Sequence, residues 1–126
     1  MKLEVGMYVR TKIGVIGKII SIDKDSHNNN IITIFNGHFH IIHNETRTEF
    51  DITKASHNII DLIEVGDYVN GFRVDEIGEY HSIKTDKVET YAKVNCSALL
   101  NCFYEEDIKS IVTKEQFESM SYKVKE

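Results

Sequence analysis

The sequence predicts a mainly β protein: two tandem small barrel or sheet modules packed together, with one short helix near the C-terminus. Three observations carry this. The segment Leu3-Glu4-Val5-Gly6-Met7-Tyr8-Val9-Arg10 returns almost unchanged as Ile63-Glu64-Val65-Gly66-Asp67-Tyr68-Val69-Asn70. The apolar residues are mostly Ile, Val, Phe and Tyr, and side chains branched at Cβ or aromatic favour a pleated, half-buried surface over a helix. Short apolar runs are separated by Gly and Asn at turn spacing. The modules are placed at 1–58 and 59–126. Neither has enough chain to bury a full core alone.

In module one, Gly6 feeds a strand through Tyr8 and Val9, and Gly14 and Gly17 mark a turn or bulge before Lys18-Ile19-Ile20-Ser21-Ile22. Residues 23–30, with three consecutive Asn, read as a loop. Asn36-Gly37 between Ile31–Phe35 and Phe39–Ile42 predicts a type I′ hairpin turn, with Phe39 and Ile41 filling the core. Residues 44–48 are polar, and a last short strand or single helical turn is expected at Glu49-Phe50-Asp51-Ile52 before the module closes over residues 53–58.

Module two is expected to repeat the plan with shorter strands: a hairpin turn at Asn70-Gly71, another turn at Gly78, and a half-exposed strand over Val88–Val94. A strand is expected within 97–104, and Asp107-Ile108-Lys109-Ser110 echoes Asp51-Ile52-Thr53-Lys54 at the close. Thr113-Lys114-Glu115-Gln116 is a capping-box pattern and predicts a helix near 113–120, with Tyr122-Lys123-Val124 as a possible terminal strand. The dense run Ile59, Ile60, Leu62 and Ile63 is expected to be buried.

Composition narrows function more than it assigns it. A chain of 126 residues with a formal charge of −5 opposes the basic footprint of a phosphate-gripping protein. No run approaches the roughly 18 apolar residues of a membrane span, and no signal sequence opens the chain, so a cytoplasmic protein without membrane contact is expected. Cys96 and Cys102 read as buried thiols.

Two constellations carry chemistry. His38 and His40, on one face of a strand, offer two imidazoles to a metal such as zinc; a third ligand would have to come from elsewhere, so a solvated hairpin face is the stronger expectation. Otherwise no cofactor is expected. Tyr8, Arg10, Lys12 and Lys18 gather as a basic, aromatic patch that could face nucleic acid, although nearby acids interrupt it. Glu105-Glu106-Asp107 reads as a solvated corner, and Gly14-Val15-Ile16-Gly17 lacks the Lys-Ser/Thr of a phosphate loop. No enzyme is expected.

The Glu-Val-Gly-x-Tyr-Val unit followed by Gly14-Val15-Ile16-Gly17-Lys18-Ile19-Ile20 resembles the opening of SH3-like and KOW-type small barrels. Separately, residues 58–71 and 108–117 resemble small proteins of phages and prophages in Gram-positive bacteria. That resemblance implies a phage accessory protein in the host bacterial cytoplasm, with a host or phage protein as partner. The leading expectation is a non-enzymatic protein that binds and modulates a host protein; because some phage proteins of this size are anti-CRISPR or other anti-defence inhibitors, the resemblance raises inhibition of a bacterial defence nuclease as one form of it. Direct RNA or DNA binding and metal binding through His38 and His40 are the alternatives.

Overall fold

The computed structural model describes residues 2–38, 40–43, 51–84, 86–95 and 101–120. The chain divides into two compact units, Met1–Leu62 and Ile63–Glu126. Unit 1 contains β1 (Tyr8–Thr11), β2 (Ile16–Lys24), β3 (Asn30–Phe35), β4 (His40–His43) and β5 (Ile52–Ser56), and unit 2 contains β6 (Tyr68–Val69), β7 (Phe72–Ser82), β8 (Lys87–Val94), β9 (Cys102–Phe103) and β10 (Ile111–Val112). Each unit is one five-stranded antiparallel sheet, ordered β4-β3-β2-β1-β5 and β10-β6-β7-β8-β9. Counted within its own unit, the fifth strand pairs with the first in both. A short helix, α1 (Lys114–Met120), follows β10.

The repeated motif makes the same turn twice. Gly6 and Gly66 have φ of +96° and +98°, a backbone conformation that glycine adopts without a steric penalty. The glycine N–H then reaches the unit's second strand, Gly6 to Ile19 O at 2.9 Å and Gly66 to Val74 O at 2.9 Å. The reciprocal bonds are Ile19 N–H to Met7 O at 2.8 Å and Val74 N–H to Asp67 O at 2.7 Å. Tyr8 and Tyr68 therefore hold equivalent places at the head of β1 and β6, each followed by a fully buried valine, Val9 or Val69. The closing echo also holds in register: Lys54 pairs with Arg10 on β1, and Ser110 O accepts from Asn70 N–H at 2.9 Å.

The two Asn-Gly hairpins turn differently although the dipeptide is the same. Asn70-Gly71 is a two-residue type I′ turn, with φ of 52° and 87° and Val69 paired to Phe72. Asn36-Gly37 is not such a turn. Phe35 pairs with His40, so four residues separate the strands; Asn36 Oδ1 accepts the His38 N–H at 2.9 Å and the left-handed position is Gly37, at φ +97°.

The other glycines also depart from expectation. Gly14 (φ +85°) closes the β1–β2 turn, whereas Gly17 lies inside β2, where a Cβ would press on Ile34 and the Phe35 carbonyl. Gly78 is likewise no turn: β7 runs unbroken through it, and β7 and β8 are longer than most strands of unit 1. Unit 1 closes on β5, which begins at Ile52, the last residue of the short strand or helical turn expected at 49–52. The expected core place of Phe39, the polar segment 44–48, the first two residues of the element expected at 49–52, the Cys96 thiol, residues 97–100 of the strand expected within 97–104 and the 122–124 strand lie outside the described residues.

Ile59–Leu62 forms a single 3₁₀ turn with Ile60 and Leu62 buried; Ile63 is buried as well. The core of unit 1 is Val9, Val15, Ile19, Ile32, Ile34 and Ile41. Unit 2 buries Val69, Val74, Ala92 and Val94, and adds a polar clamp. Asp67 is fully buried; its carboxylate accepts the Glu64 N–H at 2.7 Å and the Lys114 N–H at 2.9 Å. It thereby ties the glycine turn to the first residue of α1. The expected capping box is present, with Gln116 N–H to Thr113 Oγ1 at 3.3 Å and Thr113 N–H to Gln116 Oε1 at 3.4 Å.

Replacing Asp67 with Ala removes the buried acceptor of two part-buried amide donors. The expected loss is about 2 to 6 kcal/mol, from about 1 to 3 for each unsatisfied group. Chemical denaturation reads it, and a midpoint equal to the parent's contradicts the clamp.

Candidate interaction surfaces

The structure separates the four residues expected to form a basic patch. Arg10 is 1% exposed, and its Nη1 donates to the Leu62 carbonyl at 3.0 Å, at the end of the 3₁₀ turn. A cation there satisfies a helix-end acceptor and favours the negative end of the turn. Arg10 is a structural residue and leaves the surface patch. Lys12 is exposed in the β1–β2 turn. Tyr8 and Lys18 do meet, being opposite each other in the ladder, with Lys18 Nζ 5.6 Å from the ring centroid.

That pair belongs to a longer row. Tyr8 pairs with Lys18, Lys18 with Phe35, and Phe35 with His40, across four successive strands. Directly opposed residues share a face, and the Phe35 and His40 rings lie 4.9 Å apart. The exposed side chain of Ile42 flanks the row on β4.

His38 and His40 are both exposed but do not share a strand: His38 lies in the turn and His40 begins β4. Among the described residues, no group of three His, Cys, Asp or Glu side chains is placed to hold a metal ion. Cys102 is half-buried on β9 rather than enclosed.

Unit 2 holds a surface that the motifs did not indicate. Of the charged residues, unit 1 has seven basic and seven acidic, while unit 2 has eight Lys or Arg against thirteen Asp or Glu; the whole net charge of −5 therefore lies in unit 2. Tyrosines gather within this acidic unit. Gly78 faces Tyr91 across the β7–β8 ladder, and a Cβ at Gly78 would collide with the phenol ring. The glycine thus makes room for an aromatic ring lying over the neighbouring strand. Tyr80 pairs with Glu89, two residues farther along, on the same face. Tyr104 follows β9 with its ring 6.1 Å from that of Tyr91.

Partial burial, then Cys102, Tyr80, Glu89 and Tyr91 close by, raise the Tyr104 phenol above its ordinary pKa of 10.0. The 3₁₀ turn Glu105–Asp107 comes directly after it, adding exposed carboxylates at Glu106 and Asp107. The signal for this cluster was a glycine within a strand opposite an aromatic residue, which can be read only once the register is known.

No helix among the described residues is long and apolar enough to cross a membrane. Comparison with family models, curated proteins and solved structures gives no match to this chain.

Arg10→Ala removes a buried guanidinium and leaves the Leu62 carbonyl without this donor, so a stability loss of about 1 to 3 kcal/mol is expected. If denaturation instead shows full parental stability, the side chain is not the structural cap described.

Proposed function

We propose that this chain is a non-enzymatic binding protein that engages a basic surface of a protein partner through unit 2. The carrying observation is the concentration of the net charge of −5 in a unit that also displays a tyrosine face. Tyrosines supply contact area with a polar tip and are enriched at protein interfaces. The net negative charge of the unit steers a basic partner and repels nucleic acid. The resemblance to small phage and prophage proteins supports a host protein as that partner. A defence nuclease fits the chemistry, because its nucleic-acid groove must be basic, and an acidic face seated there would block substrate. The chain would then act as an anti-defence inhibitor in the bacterial cytoplasm.

The test is capture of a host partner on the immobilised full chain after nuclease treatment of the lysate. The Glu76→Lys, Glu89→Lys double variant should lose the partner that the parent and Lys18→Glu retain. Loss with Lys18→Glu, together with retention by the unit 2 double variant, would overturn the reading.

The Tyr8–Lys18–Phe35–His40 row favours a second reading, direct RNA or DNA binding through unit 1, because aromatic rings interleaved with cations suit single-stranded bases and phosphates. Binding to a mixed-sequence oligonucleotide should then weaken steeply with salt and disappear in the Tyr8→Ala, Phe35→Ala variant. No binding at low salt would remove this reading.

A further inference from the structure

We propose that the outer face of the β7–β8 ribbon is an arginine-binding site, in which the rings of Tyr80, Tyr91 and Tyr104 and the Glu89 carboxylate receive guanidinium groups from an extended basic segment of a partner. The proposal rests on the protein-binding reading above and specifies its chemistry.

Three geometric facts support it. Tyr80 and Glu89 are directly opposed in the ladder, and Tyr91 lies diagonally across from Tyr80 on the same face. The Tyr91 and Tyr104 rings are tilted by 55° at 6.1 Å, so they do not seal against each other as a parallel stack would. Tyr80 is 50% exposed, so ring surface is open to solvent beside the exposed Glu89. The face is therefore aromatic and carries the Glu76 and Glu89 carboxylates, with Lys93 opposite Glu76 and Lys87 opposite Ser82 on the same side of the ladder.

That combination selects one occupant. A guanidinium is planar, stacks on aromatic rings and offers parallel N–H donors to a carboxylate, whereas a lysine ammonium is a compact, strongly hydrated point charge. Nucleic acid would set phosphates against a unit of net negative charge. A second copy would oppose two units of the same negative sign.

The ribbon also offers an edge. β9 pairs with β8 only at Ala92 and Lys93, and among the described residues no strand flanks Lys87–Thr90 on that side. An extended segment can lie along such an edge and direct alternate side chains onto the tyrosine face.

Fluorescence anisotropy with the full chain and labelled hexa-arginine, hexa-lysine and hexa-glutamate peptides tests the site. Hexa-arginine should bind at least about tenfold tighter than hexa-lysine, and hexa-glutamate should not bind. Tyr80→Leu, which keeps apolar area, should reduce the arginine preference, and Glu89→Gln should weaken both basic peptides; circular dichroism confirms that each variant is folded. Equal affinity for the two basic peptides would overturn the proposal, as would an arginine preference unchanged in both Tyr80→Leu and Tyr104→Leu. Self-association that displaces the peptide would do the same. If the peptides show no arginine preference while charge reversal still abolishes partner capture, the protein-binding reading stands and the arginine site falls.

Discussion

Both units depend on a glycine held at positive φ. At Gly6 and Gly66 the chain must turn so that the glycine N–H faces the second strand, and the +96° and +98° conformations achieve this. A side chain at either position would strain the backbone. From that turn follow the tyrosine at the strand head, the buried valine after it, and the ladder that recruits the fifth strand. The residue after each glycine then differentiates the units. Met7 receives the Glu4 N–H on its sulfur at 3.2 Å, while Asp67 receives the corresponding Glu64 N–H on a carboxylate at 2.7 Å. Only the carboxylate has a second oxygen to spare, and that oxygen anchors α1.

The same frame thus supports two different surfaces. Unit 1, neutral in formal charge, crosses its sheet with Tyr8, Lys18, Phe35 and His40. Unit 2, which carries the net negative charge, extends its second and third strands into a longer ribbon and sets tyrosines among Glu76, Glu89, Lys87 and Lys93. Arg10 shows how closely structural and surface roles can lie in sequence. It neighbours Tyr8 by two residues on the same strand, yet its charge is spent on the Leu62 carbonyl rather than offered to solvent.

Much of the frame was legible because local chemistry and tertiary context agreed. The duplicated Glu-Val-Gly-x-Tyr-Val, the Asn70-Gly71 turn and the Thr113–Gln116 box each specify a conformation through nearby atoms. A dipeptide or a glycine alone did not fix the conformation. Asn36-Gly37 repeats the turn dipeptide of Asn70-Gly71, but the Asn36 side chain binds a backbone amide within its own loop, whereas Asn70 Oδ1 receives the Lys109 and Ser110 amides from the closing segment. Gly78 looked like punctuation because its reason for being small, the Tyr91 ring, sits on another strand. The tyrosine face was hidden for the same cause: its members come from β7, β8 and the end of β9, and only the register brings them together.

The central functional claim is that interaction is confined to the acidic tyrosine face of unit 2. The most direct measurement is an NMR titration of the full chain with hexa-arginine, following the ring resonances of its six tyrosines. The account predicts that the rings of Tyr80, Tyr91 and Tyr104 shift together and saturate, while those of Tyr8 and Tyr68 stay in place. Saturable shifts centred on Tyr8, or equal small drifts at every tyrosine, would contradict it.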